Sequence, residues 1–370
     1  MKTKKFKKVA IGCATCFCFG LSLVGFTSCK QASTMREDIV ADSFKNITID
    51  TKTADIHFVS ATDGVCKVIT PERKGLQYTV KVQDGVLTVK LEDTRKWYQY
   101  LFFNFEMPDV TVYLPDADYQ NLTIDASTGD IEITRDLRFE NVAIDISTGD
   151  VDCEALVAGN MTIETSTGDI EIENAQAKDI LLRVTTGDVE CKNVTCVNFT
   201  SEGGVGTFTA DNVEALETFY VKRTTGEVAM SKIAAGTLTI DKTTGKINIS
   251  TAVCGDVQLT VTTGSMQITD MTCANFTSEG DTGSLTMDNV VASGKFTIDR
   301  TTGDITFNGC DGAEIEVKTT TGSVTGALLS DKIFIARSTS GRVNVPETLT
   351  GGKCKITTTS GKIKIEIKSN

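Results

Sequence analysis

The sequence predicts an all-β protein, a parallel β-solenoid of about 13 regular coils of 19–20 residues that follows an irregular N-terminal β cap. Three observations predict this fold. A glycine preceded by threonine in most copies recurs at intervals of 19 or 20 residues. The residues on both sides of it alternate between apolar and polar, as in strands with one buried face. A fixed period of this size is typical of repeat architectures. The glycines are Gly129, Gly149, Gly168, Gly187, Gly206, Gly226, Gly245, Gly264, Gly283, Gly303, Gly322, Gly341 and Gly361.

Each copy consists of two short strands joined at the glycine. Around Gly168, apolar residues stand seven and five positions before the glycine and two and four positions after it. Glycine supplies the positive φ that a turn or bulge demands, and threonine favours extended backbone. Coils stacked about 4.8 Å apart would span on the order of 60 Å. An array of hairpins is the alternative, because a type I turn with a bulged glycine also fits. The near-constant coil length favours the solenoid.

Residues 1–28 are predicted to be a lipoprotein signal peptide, because five lysines precede an uncharged apolar run from Val9 to Ser28. The run ends in Phe26-Thr-Ser-Cys29, which resembles the lipobox of bacterial lipoproteins, although Phe26 stands where leucine is usual. That resemblance implies cleavage before Cys29 and a lipid anchor on it. An ordinary cleaved signal and an uncleaved membrane anchor are the alternatives. Each outcome places the rest of the chain outside the cytoplasmic membrane.

Residues 29–45 are polar and lack periodicity, so they are interpreted as a tether. Residues 46–120 are predicted to form the N-terminal β cap and a first coil, in which Ala54 takes the place of the glycine. Asp84-Gly85 between two alternating segments is a strong hairpin signal. A solenoid needs such a cap to cover its open core and unpaired edge.

An aromatic segment within the cap is the one candidate binding site for a ligand. It contains the only tryptophan of the chain, and the candidate residues are Trp97, Tyr98, Tyr100 and Phe103. These side chains could plug the open end of the solenoid. Alternatively, they form an exposed patch that binds sugar, peptide or lipid, since large apolar patches are rarely exposed without purpose.

Residues 121–370 are predicted to form the solenoid repeat domain. Near its end the acidic pattern becomes basic, and Lys362, Lys364 and Lys368 are interpreted as charges that protect the exposed edge of the last strand.

The residue inventory offers little for catalysis, and no cofactor is predicted. His57 is the only histidine and is interpreted as a surface residue, which argues against a catalytic triad or a zinc site. The cysteines of the repeats are interpreted as small buried residues, although Cys254 and Cys273 lie on adjacent coils and could pair.

A column of aspartates directly after the glycines is the one candidate metal site. Asp130, Asp150, Asp169 and Asp188 would stack on neighbouring coils, where like charges repel unless they are solvated or bridged by cations such as calcium. Most later coils lack this aspartate, and local turn preference also explains it. No metal is therefore predicted as the main interpretation.

The charge of the chain excludes nucleic acid as a partner. The formal net charge is −12, and it becomes −17 without the five leader lysines. An acidic protein has no electrostatic footprint for nucleic acid or for an anionic membrane surface.

From about residue 46 to the end, the chain resembles the bacterial "putative adhesin" family of β-strand repeats, a domain of unknown function. The resemblance rests on the Ser/Thr-Thr-Gly-Asp-Ile-x-Ile repeats and on the segments Asp84–Val89 and Val110–Pro115. It implies a cell-envelope β-solenoid without assigned catalytic residues.

We therefore expect a non-enzymatic surface protein that binds a glycan, cell-wall or protein ligand. The alternatives are an envelope-stress sensor that binds peptide or lipid, and a carbohydrate-active β-helix enzyme, which would need longer loops than these coils allow.

Overall fold

The structure, a computed structural model, describes residues 34–72, 76–93 and 109–368. By its internal contacts the chain divides into two units, Met1–Ser33 and Thr34–Asn370, and every described residue belongs to the second. The described part consists of strands and turns and contains no helix. It therefore offers no helix that is long and apolar enough to cross a membrane.

The strands of the N-terminal region lie before the first corner glycine. In chain order they are β1 (Thr34–Val40), β2 (Asn46–Thr53), β3 (Asp55–Ser60), β4 (Cys66–Glu72), β5 (Leu76–Gln83), β6 (Val86–Asp93) and β7 (Asp109–Leu114).

The strands of the solenoid follow the repeat. They are β8 (Asp118–Thr128), β9 (Ile131–Ile133), β10 (Arg138–Thr148), β11 (Val151–Cys153), β12 (Leu156–Val157), β13 (Asn160–Thr167), β14 (Ile170–Glu173), β15 (Asp179–Thr186), β16 (Val189–Val205), β17 (Phe208–Thr225), β18 (Val228–Thr244), β19 (Ile247–Thr263), β20 (Met266–Cys273), β21 (Asn275–Thr282), β22 (Leu285–Thr302), β23 (Ile305–Thr321), β24 (Val324–Leu328), β25 (Lys332–Ser338), β26 (Val343–Asn344), β27 (Gly352–Ser360) and β28 (Ile363–Ile367).

The coils stack as a parallel β-solenoid, as the sequence predicts. Ile144 on β10 pairs with Ile124 on one neighbouring coil and with Ile163 on the other, so equivalent positions lie side by side. The apolar residues at these positions are buried and form one continuous core. The alternative array of hairpins is wrong, because successive coils pair in parallel rather than antiparallel.

The repeating glycines form the first corner of each coil, and the neighbouring coil excludes any side chain there. A Cβ added to any of the thirteen would lie only 1.8–2.1 Å from a carbonyl oxygen of the adjacent coil. Eleven of the thirteen also adopt a φ between 124° and 157°. Close backbone approach and backbone conformation therefore both require glycine at this corner.

A second corner lies six residues after the glycine, and the sequence did not draw attention to it. Seven non-glycine residues there adopt a φ between 51° and 58°, the left-handed region that Asn and Asp tolerate best. They are Asn174, Asn193, Asn212, Lys232, Thr251, Asp270 and Asn289. The asparagines also link the coils, because Asn193 Nδ2 donates to Asn174 Oδ1 over 3.0 Å.

The N-terminal region begins with a coil that has Ala54 at its corner. Its strands β2 and β3 pair in parallel with β8 and β9 on one side and with β6 and β7 on the other. Beyond them, β5 runs antiparallel to β6, and Asp84 and Gly85 with φ of 51° and 74° form the hairpin turn that the sequence predicts.

The segment interpreted as a tether is partly a strand. Residues 34–40 form β1, which runs antiparallel to β4, and the Arg36 guanidinium donates to the carbonyl oxygen of Tyr78 over 3.1 Å. The backbone of β1 finds its hydrogen bonds in β4, which requires no regular apolar alternation in β1 itself.

The last two coils stack in the reverse of their chain order. Strands β27 and β28 pair with β23 and β24 on one side and with β25 and β26 on the other. The coil of Gly361 therefore lies inside the stack, and the coil of Gly341 lies at its end. The interpretation of Lys362, Lys364 and Lys368 as charges on the last edge is wrong, since β28 has neighbours on both sides.

Candidate binding surfaces

The residues that the sequence singled out for lipidation and ligand binding lie outside the described residues. These are Cys29 in the leader and Trp97, Tyr98, Tyr100 and Phe103 in the cap. Their roles stay predictions. The other candidates, the aspartate column, His57 and the cysteines, lie within the described part.

The aspartates after the corner glycines form a ladder of hydrogen bonds between coils. The backbone N–H of Asp150 donates to Asp130 Oδ1 over 2.9 Å, and the N–H of Asp169 donates to Asp150 Oδ1 over 2.8 Å. The same bond joins Asp188 to Asp169 and Thr207 to Asp188. Each carboxylate thus satisfies a backbone donor of the next coil, a local reason for aspartate here that needs no cation.

Within residues 34–72, 76–93 and 109–368, no group of three or more His, Cys, Asp and Glu side chains is placed to hold a metal ion. His57 lies on the surface, where its Nδ1 is 3.0 Å from Glu132 Oε2.

The wall after the corner is strongly acidic in its first coils. Asp152 on β11 is half-buried, and burial together with Glu171, Glu154 and Glu132 raises the pKa of its carboxyl to about 6. On the same wall, Lys192 Nζ lies 2.8 Å from Glu190 Oε1 and neutralises part of the charge. This wall would repel anionic polymers.

The wall before the corner is flat, polar and continuous along the stack. We call it the threonine wall and define it as the outward-facing residues two, four and six positions before each corner glycine. In the coil of Gly245 these residues are Thr239, Asp241 and Thr243, and each is exposed or half-buried. Threonines and charged residues from neighbouring coils fall into columns, because the strands pair in register. The wall repeats a hydrogen-bonding pattern about every 4.8 Å.

Ion pairs run along the charged column of the threonine wall. Arg183 lies between two acidic neighbours, with Nη1 2.7 Å from Glu164 Oε1 and Nε 3.1 Å from Glu202 Oε2. A shallow depression of about 350 Å³ surrounds this arginine. Because the guanidinium already contacts two carboxylates, it is not free to bind an anion strongly.

A wider open groove of about 780 Å³ lies where residues 118–119, 138–140, 156–158 and 176–178 meet. Its floor contains Tyr119 and Phe139, whose ring centroids are 5.8 Å apart. Both rings are at most 5% exposed, whereas Leu156 at the rim is 38% exposed. The rings therefore belong to the core and present no free face for stacking on a sugar.

Four cationic side chains of the described residues are buried, which the sequence did not predict. Lys332 pairs with Asp311 over 2.7 Å, and the other three lie inside the solenoid without a carboxylate partner. Arg223, Lys242 and Arg300 stand three residues before a corner glycine, and each is 1% exposed. Burial lowers the pKa of Arg223 and of Arg300 to about 10 and that of Lys242 to about 8. No ion pair with a carboxylate is found for any of the three among the described residues.

Each buried arginine occupies space left by small residues of the preceding coil. Arg223 Nη2 donates to Ser201 Oγ over 2.9 Å, and a Cβ on Gly203 would lie 2.5 Å from Nη1. Arg300 repeats this arrangement, with Nη2 3.1 Å from Ser278 Oγ. The two sites are copies, since Phe199-Thr-Ser-Glu-Gly203 recurs as Phe276-Thr-Ser-Glu-Gly280. The serine and glycine at inward positions were the sequence signal that could have revealed them.

The cysteines of the described part are buried free thiols, including Cys254 and Cys273. Burial raises the pKa of the Cys254 thiol to about 11 and that of Cys273 to about 12. These thiols are therefore poor nucleophiles at neutral pH.

Three segments of the chain match the family described as Toastrack DUF4097, at residues 44–214, 207–278 and 269–370. No curated protein matches the chain. Among solved structures, a "putative adhesin" from Bacteroides fragilis is 17% identical with a TM-score of 0.39, over 73% of this chain and 97% of that one.

A "putative adhesin" from Parabacteroides distasonis is 13% identical with a TM-score of 0.36, over 73% of this chain and 98% of that one. A "putative cell adhesion protein" from Clostridium sporogenes is 10% identical with a TM-score of 0.17, over 91% of this chain and 100% of that one. The matches to the family cover the described solenoid and most of the N-terminal region, and the chain therefore belongs to the Toastrack DUF4097 family.

Proposed function

We propose that this protein is an exported, non-catalytic β-solenoid that works as an adhesin-like binding or scaffolding element at the cell envelope. The observation that carries the proposal is the threonine wall. Its columns of Thr and charged side chains stay in register from coil to coil, so a long ligand with repeating groups meets the same contacts many times. Many weak contacts in series give avidity without a deep pocket.

The chemistry of the wall favours a neutral polymer or a protein. Threonine hydroxyls both donate and accept hydrogen bonds, as sugar hydroxyls require. The charges on the wall are partly paired with each other, as Lys318 with Asp299 at 3.1 Å. The net charge of −12 disfavours anionic polymers. A neutral glycan, a cell-wall polymer or a protein surface is therefore the proposed ligand.

An array of glycans and cell-wall polymers probed with the full chain tests this function. We expect binding that falls strongly when arginines replace wall threonines in Thr239→Arg/Thr243→Arg. The matched control is Asn248→Arg on β19, which places the same side chain on the wall after the corner. Loss of binding in Trp97→Ala but not in the wall variant would assign the site to the aromatic segment instead. Fragments released from a bound polymer would contradict the non-catalytic role.

The proposed location at the envelope depends on the leader. We expect labelled fatty acid to be incorporated into the chain and to be lost in Cys29→Ser, because the thiol is the acceptor that a lipobox implies. Labelling that persists in Cys29→Ser would contradict the anchor, and a soluble secreted product from the unchanged chain would indicate an ordinary cleaved signal.

A further inference from the structure

The strand at the end of the stack, β25, has one edge that no other described strand covers. Because the coil of Gly361 is inserted before it, β25 pairs with β27 on one side and with no other described strand. Its second row of N–H and C=O groups therefore faces outward along the axis, and of these the carbonyl oxygen of Lys332 accepts a hydrogen bond from the Thr348 hydroxyl. Such an edge is a template for another strand unless charge, proline or a bulge blocks it.

Two of the three outward-facing residues of β25 are apolar, in contrast to the threonine wall that this strand continues. Ile333 is 46% exposed and Ile335 is 52% exposed. In the neighbouring strand the positions beside them are Lys353 and Lys355. The inward residues Phe334 and Ala336 are only partly buried, although they pack on the core. On both faces of β25, apolar side chains thus stay at least partly exposed, and one further strand beside β25 would cover them.

The sequence of β25 is complementary to itself when it is reversed. If two copies of the strand pair antiparallel about Ile335, this residue meets its own copy on the outward face. Phe334 then lies opposite Ala336 on the core side, a large residue against a small one. Ile333 lies opposite Arg337, whose aliphatic stem can cover it. Directly opposite residues on one face are 4.5–5.5 Å apart between Cβ atoms, so these pairs would be in contact.

Charge does not oppose this pairing strongly. Residues 331–368 carry eight lysines and arginines against three acidic residues, so two such ends repel each other. The lysines beside β25 lie one strand away from the new seam, and Lys355 is paired with Glu316 over 2.9 Å. At physiological ionic strength, charges separated by more than about 8 Å are largely screened.

We propose that β25 is a homodimerisation edge, at which two copies of this chain join end to end through an antiparallel β25–β25 pair centred on Ile335. A two-fold pairing of identical strands closes on itself and leaves β25 without a free edge, whereas an open edge would promote aggregation.

Cross-linking of the purified full chain tests the register. In Ile335→Cys the two new thiols face each other, so mild oxidation should give a disulfide-linked dimer in most of the protein. The matched control is Leu216→Cys in the middle of the stack, where the native residue is 60% exposed. The cysteines native to the described part are buried and common to both variants. Equal cross-linking of both variants, or none in either, would overturn the proposal.

Light scattering of the same chain provides the second readout. We expect a dimer for the unchanged chain and for Leu216→Lys, and a monomer with unchanged far-UV circular dichroism for Ile335→Lys. A monomeric unchanged chain would overturn the proposal. So would a cross-link of Ile335→Cys to a different protein in whole cells, which would assign the edge to a partner strand.

Discussion

The buried ammonium of Lys242 makes the stability of the protein depend on alkaline pH. Its Nζ has no hydrogen-bond partner in the described structure, and burial lowers its pKa from 10.5 to about 8. Between these values the unfolded chain holds the proton and the folded chain has released it. Unfolding then takes up a proton, so stability rises as pH increases from about 8 to about 10.5 and lacks this contribution below pH 8.

We therefore expect Lys242→Met to stabilise the protein at pH 7 by an amount on the order of 3 kcal/mol. The variant should also lose the rise in stability between pH 8 and 10.5. Urea unfolding at a series of pH values measures both. Lys192→Met, which removes a half-buried lysine that is paired with Glu190, should keep the rise. Parallel pH profiles for Lys242→Met and the unchanged chain would show that Lys242 is not buried as a cation.

The glycine beneath a buried arginine should couple to it energetically. Gly203 has no positive φ, and the nearest atoms to an added Cβ all belong to the Arg223 guanidinium, at 2.5–3.0 Å. We expect Gly203→Ala to destabilise the protein by about 2 kcal/mol through overpacking. In an Arg223→Met background the same change should cost less than about 1 kcal/mol, because the longer polar group is gone.

A double-mutant cycle from urea unfolding gives this coupling. Additive effects of the two substitutions would mean that backbone conformation, and not the guanidinium, selects glycine at position 203.

At the scale of the strand and its corner, the glycines are limited by the neighbouring backbone. An added Cβ on Gly226 would lie 2.0 Å from the carbonyl oxygen of Gly206, and backbone cannot move aside as a side chain can. We expect Gly226→Ala to cost more than about 4 kcal/mol or to prevent folding.

The control for the corner is Gly64, which has a φ of 71° but no atom within 4 Å of an added Cβ. Gly64→Ala should cost only about 1 kcal/mol, the strain of the left-handed conformation. Thermal unfolding of both variants separates the two effects. Similar losses in the two would contradict steric contact between coils as the main reason for glycine.

The aspartate ladder should be stabilising through its hydrogen bonds. In Asp169→Ala the N–H of Asp188 loses its acceptor, which we expect to cost about 1 kcal/mol. Asp169→Asn should cost less, because the amide oxygen can still accept. If calcium instead bridged the carboxylates, millimolar calcium would raise the unfolding midpoint of the unchanged chain and not that of Asp169→Ala. We expect no such difference.

The sequence predicts the parts of the fold that depend on one coil alone. The alternating residues around each glycine identify the inward positions, and Asp84-Gly85 identifies its hairpin. The order of the last coils depends on a comparison between coils and could not be predicted. In the structure the inner place goes to the coil with Cys354, Ile356, Ile363 and Ile365, all at most 2% exposed. The end place goes to the coil with Phe334 and Ala336, whose side chains are only partly buried.

The buried cations escaped prediction for a similar reason. Arg223 and Lys242 stand at inward positions, but the room and the hydroxyl that accommodate Arg223 come from Gly203 and Ser201 on the preceding coil. A pattern read within one repeat cannot show this. The candidate ligand site of the cap is untested for a different reason, since Trp97 lies outside the described residues.

At the scale of the whole described unit, stability should be distributed along the stack. Each coil of the regular region contacts the coil before it and the coil after it, as β18 contacts β17 and β19. The stability of such a stack is approximately a sum of terms for single coils and for interfaces between neighbours. Removing one complete coil should therefore leave two compatible faces, whereas removing part of a coil should not.

We expect deletion of residues 227–245, one full period from corner to corner, to give a folded protein with the same type of circular dichroism spectrum and a single thermal transition. Gly226 then precedes Lys246, and the inward residue Arg223 gains Val261 as its new neighbour in place of Lys242. Because the deletion also removes a buried unpaired cation, the loss of one interface is partly offset, and the midpoint should stay near that of the unchanged chain.

Deletion of residues 227–236 removes half a coil and shifts every later inward position, so it should unfold the protein or abolish the cooperative transition. If both deletions behaved alike, stability would reside in particular coils and not in the repeated interface.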